Sequence, residues 1–196
     1  FVFTETVLSS SIAGGADADT IQLQSGATST TVDGGSGDDT IALGLTGSSV
    51  TLIGGDGKDL FSINSDLNVS SISGGSGNDT VAIVGNVSGG VIATNLADDS
   101  ISISGSVLGA GVYGGSGNDT ISVVGTVSGG LIGGQVGADL VNVSGDLLTA
   151  NAQLAISGDS STLADTLVVG GSMSNTTVVS GSGADSLSIG SAVVSG

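Results

Sequence analysis

Aspartate recurs through this chain at a nearly fixed interval, and carboxylates at that interval could bind cations. Nine aspartates are separated by 20 residues each, apart from one interval of 26: Asp19, Asp39, Asp59, Asp79, Asp99, Asp119, Asp139, Asp165 and Asp185. Stacked about 4.8 Å apart, two such charges repel by roughly 3–4 kcal/mol at an effective dielectric near 20. The column would oppose folding unless a cation lies between the carboxylates. Ca²⁺ suits this position because it takes about six to eight oxygen ligands.

Glycine accompanies these aspartates in a repeated phrase. GGSGNDT occurs at 74–80 and again at 114–120, and close variants stand at 34–40 and 54–60. Glycine adopts positive φ without steric cost, so the backbone can turn and direct several carbonyl oxygens at one ion. The phrase therefore predicts a loop that binds a cation through carboxylate and carbonyl oxygens.

The composition excludes several kinds of site and partner. The 196 residues include 18 acids against Lys58 alone, for a net charge of −17, and they contain neither histidine nor cysteine. Without a cluster of cations we expect no binding to nucleic acid or to anionic membranes. Disulfides, zinc–thiolate sites and thiol nucleophiles are ruled out. No apolar stretch approaches the length of a membrane span.

The apolar residues follow the same period of 20. Counting twenty places from Ser11 aligns three apolar columns and a looser fourth. Place two holds Ile12, Val32, Leu52, Ile72, Ile92, Val112, Ile132, Ile156 and Val178. Place eleven holds Ile21, Ile41, Phe61, Val81, Ile101, Ile121, Val141, Leu167 and Leu187. Place thirteen holds Leu23, Leu43, Ile63, Ile83, Ile103, Val123, Val143, Val169 and Ile189. Place seventeen holds Ala27, Gly47, Leu67, Val87, Val107, Val127, Leu147, Met173 and Val193.

These columns predict the fold. Places eleven and thirteen alternate with small or polar residues, which is the pattern of a strand with one buried face. We expect an all-β chain, a parallel β-solenoid (β-roll or β-helix) of about nine coils of about 20 residues, with a cation-binding row on one edge. The crossover rule favours a right-handed coil. We expect residues 1–196 to form a single continuous solenoid, with residues 1–10 as a half-coil. Residues 151–176 form an irregular coil, with insertions near 151–154 and 160–163.

The motif resembles that of a known family. The segment 34–41 fits the G-G-x-G-x-D-x-U pattern of RTX calcium-binding β-rolls, as do 54–61, 74–81 and 114–121. The resemblance implies that Ca²⁺ is bound by the motif aspartates and by carbonyls of the glycine turn. The expected aspartate ligands are Asp39, Asp59, Asp79 and Asp119, followed by Asp19, Asp139 and Asp185. The glycine positions are Gly35, Gly37, Gly55, Gly57, Gly75, Gly77, Gly115 and Gly117.

Several coils depart from this motif. The first coil has Asp17 in place of the third glycine, and the fifth, TNLADDS at 94–100, has lost every glycine. Coils seven and nine keep one or two. The sequence does not decide whether calcium is bound in the coils 91–110 and 155–176. Because the motif occurs once per coil and the opposite edge has no column of acids, we expect one row of ions. A similar one-sided row is found in calcium-dependent β-solenoid repeats of bacterial ice-binding adhesins, which this chain also resembles.

Two other functions fit the residues less well. The acid pairs Asp38/Asp39 and Asp98/Asp99 could suggest glycoside hydrolysis. Adjacent residues on a strand point to opposite faces, so these pairs do not converge, and we expect no enzyme activity. Ice binding would need a regular row of threonine and Asx on the calcium edge. The third motif place is irregular: Ala16, Ser36, Asp56, Ser76, Leu96, Ser116 and Val136.

A structural role fits best. Residues 1–10 align with the second half of a coil, and neither end shows a polar cap, so an open sheet edge is available for stacking. We expect a secreted, calcium-stabilised structural protein at the cell surface or in the extracellular space. It would be a subunit of a filament, surface layer or biofilm matrix that assembles head-to-tail with copies of itself. The alternative is a spacer or adhesin repeat domain of a larger secreted RTX protein whose activity lies elsewhere.

Overall fold

The computed structural model describes residues 1–148, 155–157, 163–191 and 193–194. All regular secondary structure in these residues is β-strand, and every strand pair is parallel. None of the described segments forms a helix with the length and hydropathy that a membrane span requires. The predicted all-β parallel solenoid of about nine coils is confirmed.

One sheet contains ten strands, one from each coil and one from the N-terminal half-coil, and we call it the first sheet. Its paired residues are 20 apart in sequence, as in Ile21 beside Ile41. Its strands, in spatial order, are Val2–Phe3, Thr20–Leu23, Thr40–Leu43, Leu60–Ile63, Thr80–Ile83, Ser100–Ile103, Thr120–Val123, Leu140–Val143, Thr166–Val169 and Ser186–Ile189.

The remaining strands form a second sheet, in which the short strand at the end of one coil is followed by the longer strand that begins the next. The short strands are Val7–Leu8, Ala27–Thr28, Gly47–Ser48, Val107–Leu108, Val127–Ser128, Leu147–Leu148, Met173–Ser174 and Val193–Val194. The longer strands are Ser11–Ala16, Thr31–Ser36, Thr51–Asp56, Gly111–Ser116, Leu131–Val136, Ala155–Ser157 and Thr177–Val179. At two of these junctions the short and long strands join as Leu67–Ser76 and Val87–Leu96.

The core lies between the two sheets and consists of the predicted columns. Ile21, Leu23 and Phe61 have no exposed surface, and the same inward positions are buried as far as Leu167 and Val169. One inward column was missed. Place twenty is buried at Thr30, Val50, Ser70 and Ala110. Because this column contains both polar and apolar residues, the apolar pattern of the sequence did not predict it. Its hydroxyls are satisfied locally, since Thr30 Oγ1 donates to the Thr28 carbonyl at 3.0 Å.

The register shifts near the eighth coil. Ile132 pairs with Ile156, 24 residues later, and Ile156 pairs with Val178, 22 residues later. These offsets add four and then two residues to the period of 20. The insertion predicted near 151–154, and 160–162 of the one near 160–163, lie outside the described residues. Beyond them the first sheet continues, since Val141 pairs with Leu167 and Leu167 with Leu187.

Candidate metal centre

The place-nine aspartates lie inside the solenoid at one edge, and we call them the aspartate ladder: Asp19, Asp39, Asp59, Asp79, Asp99, Asp119, Asp139, Asp165 and Asp185. They precede the first-sheet strands by one residue and share the inward parity of places eleven and thirteen. Asp59 and Asp79 are only 1% exposed, as deeply buried as the aliphatic core. The glycine turn and the strand that follows it together place each carboxylate.

From Asp39 to Asp185, each carboxylate accepts a hydrogen bond from the coil before it. The Asp39 N–H donates to Asp59 Oδ1 at 2.8 Å, and the Asp59 N–H donates to Asp79 Oδ1 at 2.8 Å. The same bond, at 2.6–3.0 Å, links every neighbouring pair from Asp19 to Asp185. A backbone N–H to carboxylate bond is charge-assisted and holds the side chain in one orientation.

The second carboxylate oxygen, Oδ2, differs from Oδ1 in its hydrogen bonding. Oδ2 is buried and accepts no hydrogen bond in Asp39, Asp59, Asp79, Asp99 and Asp119. A buried polar atom without a partner costs roughly 1–3 kcal/mol, and more when it is charged. These oxygens fit a site for a cation, because a cation would satisfy them and neutralise the column.

The first glycine of the motif leaves room in front of Oδ2. A Cβ at Gly34 would clash with Asp39 Oδ2 and lie 2.8 Å from the Gly54 carbonyl oxygen. A Cβ at Gly54 would likewise clash with Asp59 Oδ2 and lie 2.6 Å from the Gly74 carbonyl oxygen. A carboxylate oxygen and a carbonyl oxygen of the next coil therefore face the same narrow space. Sequence reasoning assigned no role to this first glycine.

The second and third glycines shape the turn. Gly35 has φ 110° and Gly37 φ 121°, in the region that L-residues with side chains avoid. The other predicted glycines share positive φ: Gly55, Gly57, Gly75, Gly77, Gly115 and Gly117. A Cβ at Gly55 would also clash with the Gly35 carbonyl oxygen of the coil before. Glycine is therefore required both by conformation and by close stacking of the turns.

Burial and repulsion between neighbouring carboxylates raise the pKa of four ladder aspartates. Burial, opposed by the N–H bond and reinforced by the neighbouring carboxylates, raises the pKa of Asp79 and of Asp119 to about 7. The pKa of Asp59 and of Asp99 is also raised, again chiefly by burial. In the absence of a cation the folded ladder therefore holds protons that the unfolded chain would release.

The donor set is made of hard oxygens. Among the described residues, no three Asp, Glu, His or Cys side chains converge on one point. A cation at this edge would therefore take part of its coordination from backbone carbonyls, as Ca²⁺ does readily. The residues present fit Ca²⁺, with the ladder carboxylates and the glycine-turn carbonyls as the groups that would hold it.

Asp99 and Asp165 also belong to the ladder, although neither was among the expected ligands. Asp99 Oδ1 accepts from the Asp79 N–H at 2.6 Å, and Asp165 Oδ1 accepts from the Asp139 N–H at 2.9 Å. The sequence placed both in the aspartate column but did not name them as ligands. The loss of the neighbouring glycines obscured their role.

The two side chains of the acid pair Asp38/Asp39 point to opposite faces, as expected for adjacent residues. Asp39 is buried, whereas Asp38 is exposed and its Oδ1 accepts from the Lys58 N–H at 2.8 Å. The pair therefore does not converge.

The opposite edge of the solenoid carries a mixed polar column instead of an acid row. There Asp66 Oδ1 accepts from the Asn86 N–H at 2.7 Å, and Asn86 Oδ1 accepts from the Ser106 N–H at 2.8 Å.

Comparison with known families identifies the motif. The model of the RTX calcium-binding nonapeptide repeat matches in four copies, over residues 31–45, 70–82 and 112–122. The predicted resemblance and the predicted Ca²⁺ are thereby confirmed. No curated protein and no solved structure matches the chain.

The raised pKa values predict that acid can replace the cation. A folded-state pKa near 7 against 3.8 for the ordinary carboxyl means that the folded chain binds more protons between about pH 4 and 7. In chelator, the stability of the fold should therefore fall as the pH rises from 5 to 8. Far-UV circular dichroism in chelator should show more β-structure at pH 5 than at pH 8. Equal or greater β-structure at pH 8 would contradict the assignment.

Asp79→Asn should separate the destabilising effect of the buried charge in chelator from its contribution to calcium binding. It keeps the Oδ1 acceptor and removes a charge whose unpaired oxygen costs roughly 1–3 kcal/mol. In chelator, the pH below which the chain folds should move upward. In calcium titrations at pH 8, the midpoint concentration should rise. Asp38→Asn is the matched control, since Asp38 also accepts a backbone N–H but is exposed. If both variants behave alike, burial of the ladder is not the cause.

Proposed function

We propose that this chain, which carries RTX calcium-binding nonapeptide repeats, is a secreted structural protein whose copies assemble end to end. The assembly would be an extracellular filament, a surface layer or a biofilm matrix. The observation that carries the proposal is that the first and last strands of the first sheet each pair on one side only and leave apolar side chains exposed.

Calcium would stabilise each copy outside the cell. Extracellular modules bind calcium with dissociation constants of about 10⁻⁴–10⁻³ M, which suits the calcium concentration there. We assign the bound ions to the buried carboxylates Asp39, Asp59, Asp79 and Asp119 and to carbonyls of their glycine turns, with Asp19, Asp139 and Asp185 as further ligands. Bound calcium would balance the negative charge of the buried Oδ2 atoms, which accept no hydrogen bond.

The end strands offer complementary surfaces. Val2–Phe3 and Ser186–Ile189 lie at opposite ends of the first sheet, and each pairs on one side only. Phe1 is 58% exposed at one end, and Leu187 is 51% exposed at the other. Both stand at place eleven. A second copy stacked in the same register would pair Phe3 with Ile189 and extend the first sheet across the joint. Such a head-to-tail contact propagates into a fibre.

Cross-linking tests the stacking directly, because the chain has no cysteine of its own. Val2 and Ser188 both stand at place twelve on the outer face and would be neighbours across the joint. The Val2→Cys/Ser188→Cys double variant, oxidised in millimolar calcium, should give a ladder of covalent multimers on a non-reducing gel. Gln22→Cys/Ser188→Cys is the control, since Gln22 lies one coil further from the joint and should give none.

A monomeric double variant would reject end-to-end assembly. It would favour the second candidate, a calcium-stabilised spacer or adhesin repeat within a larger secreted RTX protein. In that protein, adjoining segments would cover the end strands, and a longer reading frame would be expected.

A further inference from the structure

The fifth coil keeps the shape of the calcium-type turn without its glycines. Asn95 and Ala97 adopt φ of 81° and 85°, where the four coils with the complete motif have glycine. The Ala97 N–H donates to the carbonyl of Ser116 in the next coil at 2.7 Å. The Gly37 N–H makes the equivalent bond to the carbonyl of Asp56 in the coil that follows it. Asn95 pairs with Gly115 in the regular register. The backbone path is therefore preserved, and the difference between this coil and its neighbours lies in the side chains.

Thr94 takes the place of the first glycine. Its side chain is fully buried, and its Oγ1 donates to the Gly114 carbonyl oxygen at 3.0 Å. The hydroxyl also adjoins Asp99 and offsets part of the rise in the pKa of that carboxyl. Thr94 thus lies between the ladder carboxylate of its own coil and the carbonyl of the next.

That is the space which the first glycine leaves open in the neighbouring coils. At Gly34 it is bounded by Asp39 Oδ2 and the Gly54 carbonyl oxygen, and at Gly54 by Asp59 Oδ2 and the Gly74 carbonyl oxygen. In the fifth coil, a methyl group and a hydroxyl occupy the same space. The hydroxyl proton is directed at the carbonyl oxygen that a cation would need as a ligand.

We infer that Thr94 replaces the ion between the fifth and sixth coils and divides the row of calcium sites in two. This inference rests on the calcium binding of the proposed function. The neutral hydroxyl satisfies the Gly114 carbonyl and fills the volume in front of Asp99 Oδ2, which accepts no hydrogen bond. The hydrogen bond to Gly114 therefore joins the two coils at this level without an ion. The coils before it and the coils after it then bind calcium as separate groups.

Counting bound calcium tests the inference. The probe is calcium alone, and the count is taken by equilibrium dialysis of the whole chain at pH 8 in millimolar calcium. Thr94→Gly opens the space between Asp99 and the Gly114 carbonyl and should bind one more ion per chain than the wild type. Thr94→Ser keeps the hydroxyl and should bind the same number as the wild type. Gly54→Thr places the threonine in a calcium-binding coil and should bind at least one ion fewer.

The outcomes separate the inference from its premise. A wild-type chain that binds no calcium would overturn the calcium part of the proposed function. A wild-type chain that binds calcium, together with equal counts for Thr94→Gly and Thr94→Ser, would overturn the role of Thr94 alone. If Gly54→Thr does not fold, the glycine and serine variants of Thr94 still decide the question. A gain of one ion in the glycine variant only is the result we expect.

Discussion

The structure depends on how a column of carboxylates is accommodated inside a stack of parallel coils. Parallel pairing places like residues about 4.8 Å apart, so every inward aspartate faces two others at that spacing. The N–H bond from the preceding coil orients one oxygen of each carboxylate, as in the 2.8 Å bond between Asp39 and Asp59. The other oxygen has no such partner in four of the motif coils. The fold therefore requires either a proton or a cation at this edge.

This requirement explains the uneven distribution of residue types around a coil. The aliphatic columns need only volume, so they vary freely among Ile, Val, Leu and Phe. The calcium edge needs space in front of Oδ2, positive φ in the turn and close approach of neighbouring backbones, and glycine meets all three. In a one-dimensional stack each coil contacts only its neighbours, so one altered coil changes one level and leaves the others intact. The fifth coil, with Thr94 buried and Ala97 at positive φ, is such a level.

The sequence predicted the parts of this structure that depend on period. The columns containing Ile21 and Leu23 identified the buried faces, and the aspartate column identified the edge. The inward place of Thr30 was missed because a hydroxyl that bonds to its own backbone can be buried like an aliphatic group. The N–H ladder was missed because it depends on how each carboxylate is oriented toward the N–H of the coil before it, which the residues alone do not give. The role of Thr94 was missed because a lost motif suggests a lost turn, whereas the neighbouring coils hold this turn in register.

The most direct test of the central claim is the response of the fold to calcium at pH 8, which lies above the pKa of about 7 of Asp79 and of Asp119. Far-UV circular dichroism of the chain should show little β-structure in excess chelator and a cooperative gain of β-structure on titration into the millimolar range. Full β-structure in excess chelator at pH 8 would contradict the account. The hydrogen-bond ladder and the aliphatic core would then suffice without a cation.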